Sequence, residues 1–258
     1  MDTGQQPQET PAQIIALEEV GKSFARRGGD VAALSQITFQ VAPGEVLGIA
    51  GRSGAGKSTL LRLLSLQMRP DRGRLCVLGT RIGPDTGSAA LRRLARQTGF
   101  VFQGFSLLRN LTVLDNVALP LKLRGADRAT RREKARQLLD FVGLGRHALA
   151  WPATLSGGEA QRAAIARALI GDPRILYLDE PSSALDAATT RGILELLRDI
   201  RDQRGVTMIL VAHQVDVLRY MCDRALQLEA GRIARIGPVA RSAEFRGDRL
   251  AEMWGDDG

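Results

Sequence analysis

Three stretches of the 258-residue chain carry side chains at spacings that do chemistry. The first is Gly51-Arg52-Ser53-Gly54-Ala55-Gly56-Lys57-Ser58-Thr59, a complete G-x-x-x-x-G-K-S pattern. Glycines at 51, 54 and 56 let successive backbone N–H groups, those of Ser53 and Ala55 among them, turn toward one concave spot suited to phosphate oxygens. The start of a helix there adds its positive end. Lys57 brings a point charge to the β- and γ-phosphates, and the hydroxyl of Ser58 is placed to ligate Mg²⁺. A bare glycine turn is the alternative, but the full match between an apolar run and a helical leucine pattern favours a nucleoside triphosphate site.

The second stretch is Asp179-Glu180, which ends the apolar run Ile175-Leu176-Tyr177-Leu178. Asp179 there can hold the ion bound by Ser58, and the adjacent Glu180 can polarise an attacking water. A polar pair opening a turn before Pro181 is the plainer reading. The third is Leu155-Ser156-Gly157-Gly158-Glu159-Ala160-Gln161-Arg162. Ser156 and Glu159 form a capping box, so a plain helix start is one reading. Two glycines inside a first turn lower helix propensity by about 1 kcal/mol each, which fits a place where something approaches the backbone closely. A phosphate at that helix end is the other reading.

The elements that must hold these groups follow from hydrophobic period and turn signals. Short apolar segments at 14–20 and 33–41 predict strands joined by the turn Arg26-Arg27-Gly28-Gly29-Asp30. Val46-Leu47-Gly48-Ile49-Ala50 predicts the strand that feeds the phosphate loop, and 74–78 one more. Residues 79–88 read as loop and 90–96 as a short basic helix. Phe100-Val101-Phe102-Gln103 predicts a strand ending in a polar residue. From 105 to about 151 the pattern turns helical and predicts an inserted helical lobe. Helices are expected from Ser156 to Leu169, over 188–204 and over 215–222. Val206 to Ala212 suits a buried parallel strand, and two closing strands flank Ala230-Gly231. Alternating strands and helices argue for an open parallel α/β sheet with ligand at the strand C-terminal ends.

Bulk composition narrows the classes. Hydrophobic residues make up 44% and charged residues 25%, enough for a sizeable core. No apolar run approaches the roughly 18–20 residues of a membrane span. Residues 1–11 are polar, unlike a secretory signal, and 1–12 are expected to form a disordered tail. Cys76 and Cys222 read as buried free thiols, and two histidines exclude a histidine-rich metal centre. The formal charge of +8 suits nucleic acid, an anionic membrane surface, or nothing specific. Its densest stretch, from Lys122 and Arg124 through Arg128, Arg131, Arg132, Lys134 and Arg136, reads as a solvated helix face near lipid headgroups. Aromatic residues, at 4%, offer no stacking platform for single strands, and nucleic acid is not an expected partner.

The phosphate loop, Gln103, the 155–161 segment, Ile175 to Glu180, Ser183-Ala184-Leu185-Asp186 and His213 occur in the order seen in the ATP-binding cassette ATPases, which the chain resembles from about 14 to 237. The resemblance implies a P-loop NTPase fold: a RecA-like parallel sheet core, an N-terminal antiparallel β subdomain and an inserted helical subdomain at about 104–160, within a cassette at 13–240 followed by a tail at 241–258. It implies ATP and Mg²⁺ as cofactors. Two copies are expected to pack head to tail with ATP between them, each ATP touching the phosphate loop of one copy and Ser156, Gly157 and Gly158 of the other. Phe24 matches the aromatic residue that stacks on adenine, although an ordinary core phenylalanine is equally compatible with its type. Gln103 matches the residue that reaches the γ-phosphate and Mg²⁺, and Asp186 the aspartate that reaches across the dimer. His213 matches the γ-phosphate sensor and Glu180 the catalytic base. Separate membrane permease subunits docked on the helical lobe are implied partners, with a substrate-binding protein acting through them. The chain would then sit peripherally on the cytoplasmic face of the membrane.

Within that family, Thr98 to Leu108, Leu111-Thr112-Val113, Asn116 to Leu121 and Ser183 to Ile200 resemble the methionine importer branch, while lipoprotein-releasing and amino-acid importing cassettes share parts of the pattern. An export complex is therefore the alternative. A chromosome or DNA-repair ATPase would need a long coiled coil between 59 and 154, where no sustained heptads occur. Importers of this branch commonly carry a C-terminal ligand-sensing domain. With none before Gly258, inhibition by intracellular substrate acting on this chain is not expected. Ser182, where threonine is common, and Gln214 are small departures.

Overall fold

In the computed structural model, residues 13–26, 29–183 and 185–242 are described. Two sheets lie behind the phosphate loop. The first is antiparallel, in the order β2-β1-β4-β5, built from β1 (Ile15–Arg26), β2 (Gly29–Val41), β4 (Arg72–Val77) and β5 (Thr80–Ile82). The second comprises β3 (Val46–Gly51), β6 (Thr98–Val101), β7 (Ile175–Asp179), β8 (Thr207–Val211), β9 (Arg224–Glu229) and β10 (Arg232–Pro238), in the order β10-β9-β3-β8-β7-β6. All its pairings are parallel except the closing β9–β10 hairpin. β3 and β8 are buried at every position, as their unbroken apolar runs require of central parallel strands.

Seven α-helices cover these sheets among the described residues: α1 (Lys57–Leu64), α2 (Ser88–Ala95), α3 (Val113–Leu123), α4 (Arg128–Phe141), α5 (Gly157–Leu169), α6 (Ala187–Arg204) and α7 (Val215–Met221). One apolar cluster fills the space between the two sheets around α1, with Leu17, Ile37, Leu60, Leu63, Ile209 and Leu226. The other lies on the opposite face of the parallel sheet under α5, α6 and α7, and runs on without a break into α3 and α4 through Val117, Leu138 and Leu139. Each such Leu, Ile or Val contributes about 1.5–3 kcal/mol by leaving water. Helix α7 presses so closely on β3 that a Cβ at Gly48 would lie 2.7 Å from Leu218 and 2.9 Å from the Cys222 sulfur.

Several local expectations change in detail. Arg26, Gly29 and Asp30 of the expected turn belong instead to paired strands, with Arg26 opposite Gly29, and residues 27–28 lie outside the described set. The expected loop at 79–88 contains β5, because Val77 and Thr80 pair around the Leu78-Gly79 turn. The first long helix after Gln103 begins only at Val113, where Thr112 caps it by accepting from the Asp115 N–H. Cys222 is buried, and burial pushes its thiol up, but Cys76 is only partly covered on β4. The tails at 1–12 and 243–258 lie outside the described residues. No helix among those described is long and apolar enough to cross a membrane.

The basic stretch is not simply a solvated face. Arg132 pairs with Asp115 at 3.0 Å, Lys134 with Asp172, and Arg136 with Glu133 at 3.9 Å. Arg131 donates to the Ala126 carbonyl at 3.0 Å. The guanidinium of Arg124 packs against Gly171, and burial holds its pKa down. Much of this charge therefore stitches α3 and α4 to each other and to the turn before β7.

Candidate active site

The phosphate loop is wedged in place from behind by two of its glycines. At Gly51, φ is 147° and a Cβ would lie 2.5 Å from the Leu228 carbonyl oxygen of β9. At Gly56, φ is 108° and a Cβ would lie 2.8 Å from the Ala33 carbonyl oxygen of β2. The Gly231 N–H donates to the Ala55 carbonyl at 3.0 Å, and the Gly231 carbonyl accepts from Ser35 at 2.8 Å. Both sheets thus grip one loop. Gly54, by contrast, has open space where a Cβ would point.

The Lys57 ammonium is buried and folds back across the loop, donating to the carbonyls of Gly51 at 2.7 Å and Arg52 at 3.0 Å. Burial pushes its pKa down, opposed by the charges of Glu180 and Asp179. A cation so held can exchange its two carbonyl bonds for stronger, charge-assisted bonds to an anion's oxygens. A cleft of about 580 Å³ opens in front of it, lined by Phe24, Ala33, Gly54, Lys57, Ser58, Thr59, Glu180, His213 and Gly231, among others. Phe24 is half-exposed at its edge rather than sunk in a core, with the Lys22 ammonium 6.0 Å from its ring centre.

Parallel pairing explains why the remaining polar groups meet. Val101 is level with Leu178, and Asp179 with Val211, so the chain leaves β6, β7 and β8 at one end of the sheet. Gln103, Glu180 and His213 are the first polar residues past those ends that face one another. The Gln103 Nε2 donates to one Glu180 carboxylate oxygen at 3.0 Å, and the His213 Nε2 contacts the other. Glu180 sits at φ 50°, a left-handed conformation that an L residue adopts only when its surroundings enforce it. Its N–H is bonded to the Val211 carbonyl at 3.0 Å, which holds the turn. Burial, and then the Glu180 charge, push the Asp179 carboxyl up, against the pull of Arg62, Lys57 and His213. Arg62, on the last turn of α1, was not singled out from sequence, because its approach to Asp179 exists only once α1 packs under β7.

Ser156, Gly157, Gly158 and Asp186 are not among the residues that line this cleft. They form a second cluster. Ser156 caps α5 in a complete capping box, and the Glu159 carboxylate is held below its ordinary range by the Ser156 N–H and hydroxyl. Asp186 caps α6 by accepting from Thr189, whose hydroxyl and N–H hold its carboxyl down. A Cβ at Gly158 would lie 2.5 Å from the Thr189 methyl, and one at Gly157 3.0 Å from Leu185. Packing within the chain therefore already demands at least one of these glycines.

The oxygen donors expected to hold Mg²⁺ are the Ser58 hydroxyl, the Gln103 carboxamide and the Asp179 carboxylate. No group of three or more His, Cys, Asp or Glu residues among those described forms a cation cage. A single hard carboxylate, raised in pKa beside a second one, with two neutral oxygens fits Mg²⁺, which draws its other ligands from water and phosphate.

A phosphate loop on the central strand of a parallel sheet, with its polar residues at the ends of the neighbouring strands and a helical lobe inserted between β6 and α5, defines a P-loop nucleoside triphosphatase fold. The chain belongs to the ABC transporter family, whose model matches residues 34–183. It is 50% identical over 214 residues to the methionine import ATP-binding protein MetN of Mesorhizobium japonicum, covering 83% of this chain and 58% of that protein. It is 46% identical to the MetN protein of Streptomyces griseus, covering 92% of this chain and 68% of the relative. The chain thus spans between about three-fifths and two-thirds of the length of these curated relatives. Among solved structures, the ATP-binding cassette MJ0796, in a dimeric post-hydrolysis state bound to ADP and Pi, superimposes with a TM-score of 0.80 at 35% identity, covering 88% of this chain and 99% of that one.

Proposed function

We propose that this chain binds and hydrolyses ATP as the nucleotide-binding subunit of a methionine importer. The observation that carries the hydrolytic part is the convergence of Gln103 and His213 on the Glu180 carboxylate beside the Lys57 loop. In this reading Lys57 and the backbone N–H groups of residues 53–59 bind the phosphates, and Phe24 stacks on the base. Ser58, Gln103 and Asp179 hold Mg²⁺, which supplies charge neutralisation at the phosphates. Glu180 accepts a proton from the attacking water, while His213 and Gln103 fix the orientation of its carboxylate. The bidentate grip on Glu180 supports this role, since a base must be aimed before it can act.

Two copies close head to tail, with Ser156, Gly157, Gly158 and Asp186 of one facing the cleft of the other. The position of that cluster outside the cleft of a single copy, and the dimer form of MJ0796, support this arrangement. Separate permease subunits in the membrane, served by a substrate-binding protein, carry the transported molecule, and this chain sits on the cytoplasmic face. Methionine as that molecule is supported by the names of relatives 44–50% identical to this chain. The test is reconstitution with methionine-importer permease subunits in proteoliposomes. ATP hydrolysis and uptake of labelled methionine should rise together and vanish in Lys57→Ala. Hydrolysis without methionine uptake would overturn the substrate, and persistence of hydrolysis in Lys57→Ala would overturn the site.

A further inference from the structure

Gln103 lies between two places where one turn of α5 grips the chain. Upstream, β6 is pressed on the helix backbone at Gly99, where a Cβ would lie 2.5 Å from the Ala168 carbonyl oxygen. Downstream, Gly104, Phe105 and Ser106 are all left-handed, with φ of 75°, 63° and 50°. That run turns two consecutive carbonyls toward Arg167, the residue before Ala168. The Arg167 Nη1 donates to the Ser106 carbonyl at 2.7 Å, and Nη2 to the Phe105 carbonyl at 3.1 Å. The same Phe105 sends its ring back to the start of α5, 3.7 Å from where a Gly157 Cβ would stand.

We propose that Arg167 is a positioning residue: its guanidinium fork sets the 104–106 strap so that Gln103 meets Glu180, and ties Gln103 to the Ser156 end of α5. The inference rests on the reading of Gln103 given above. Two parallel donors in one rigid plane define the direction of the strap as a single flexible ammonium does not. Burial holds the Arg167 pKa down, and the two carbonyls supply the hydrogen-bond acceptors that a buried guanidinium needs. Helix α5 runs about 15 Å without a break from Gly157 to Arg167. A partner copy that engages Ser156 therefore acts on the same rod that aims Gln103.

The test is a double-mutant cycle on MgATP hydrolysis by the purified chain, with Arg167→Met, Gln103→Ala and the pair. Arg167→Met should lower kcat on the order of tenfold to a hundredfold, as a misplaced catalytic group does. The KM for ATP should stay within about threefold of wild type, because Lys57, Ser58 and the phosphate loop, which carry most of the binding, are unchanged. The double variant should be slower than Gln103→Ala by no more than about twofold, since both remove the same contact. Arg167→Lys, which keeps the charge but reaches one carbonyl, should fall between, and it replaces Arg167→Met in the cycle if that variant does not fold. Losses that multiply would overturn the role of Arg167 while leaving that of Gln103 intact. A Gln103→Ala variant with wild-type kcat would overturn both.

Discussion

Replacing Glu180 with glutamine removes a base without changing the volume or the left-handed turn of the residue that carries it. The side chain is 14% exposed, one oxygen accepts from Gln103 at 3.0 Å, and the other meets His213. The amide keeps one oxygen for Gln103. Its new NH₂ then faces the His213 Nε2, so the imidazole must switch from donor to acceptor there. Loss of a general base lowers turnover by about 10²–10⁴, or about 2.7–5.4 kcal/mol at 1.36 kcal/mol per decade. The charge removed also holds up two neighbouring pKa values, those of Asp179 and Lys57. Asp179 must be ionised to hold Mg²⁺, so metal-dependent binding is lost as pH falls through its pKa, and Glu180→Gln moves that limit down. Lys57 must be protonated to hold phosphate, so binding is lost as pH rises through its pKa, and that limit moves down too. The whole pH window for ATP binding shifts toward acid. Phosphate release, size-exclusion chromatography with ATP, and fluorescent-nucleotide titration across pH read the three effects. An ATP-bound dimer with little turnover is expected. Turnover within about threefold of wild type would refute the base assignment, and a window displaced toward alkaline pH would refute the electrostatic account.

Other substitutions test the scaffold. Tyr177→Phe removes the buried hydroxyl that donates to the Leu64 carbonyl at 2.6 Å, at the end of α1. An unsatisfied carbonyl there costs about 1–2 kcal/mol and lowers Tm by a few degrees in a thermal melt. Gly51→Ala drives a Cβ into the Leu228 carbonyl at a φ closed to alanine, so nucleotide titration should show binding lost even where the melt shows a folded protein. Asn116→Leu removes the group that accepts from the Leu108 N–H and donates to the carbonyls of Leu108, Leu111 and Thr112. Its fully buried position makes a cost of about 2–4 kcal/mol the expected result, with hydrogen exchange accelerated first at 108–112.

The strand–loop–helix setting of residues 51–59 was legible in the sequence because its signals are local: the glycines, lysine and serine fall within nine consecutive residues, between a strand and a helix that announce themselves by period. The parallel strands were legible for a similar reason, since a strand buried on both faces reads as an unbroken apolar run. The basic stretch at 122–136 was misleading. Charge in sequence says nothing of distance, and Asp115 and Asp172, which take up Arg132 and Lys134, come from other elements. Likewise the glycines at 157 and 158 suggested a close neighbour, but that the neighbours include Thr189 and Leu185 of this same chain required the packing of α5 on α6.

What the sequence determined by itself is the inventory: which groups can bind phosphate, carry a proton or cap a helix, and the order in which they come. What the tertiary structure alone decided is which of them touch. Gln103 and Glu180 are 77 residues apart and His213 lies beyond both, yet strand order and parallel register bring their side chains to one edge of the sheet. Arg167 shows the same limit from the other side. An arginine inside a helix carries no signal of its own, and its two acceptors are backbone carbonyls, available only because three preceding residues in another segment adopt a left-handed path.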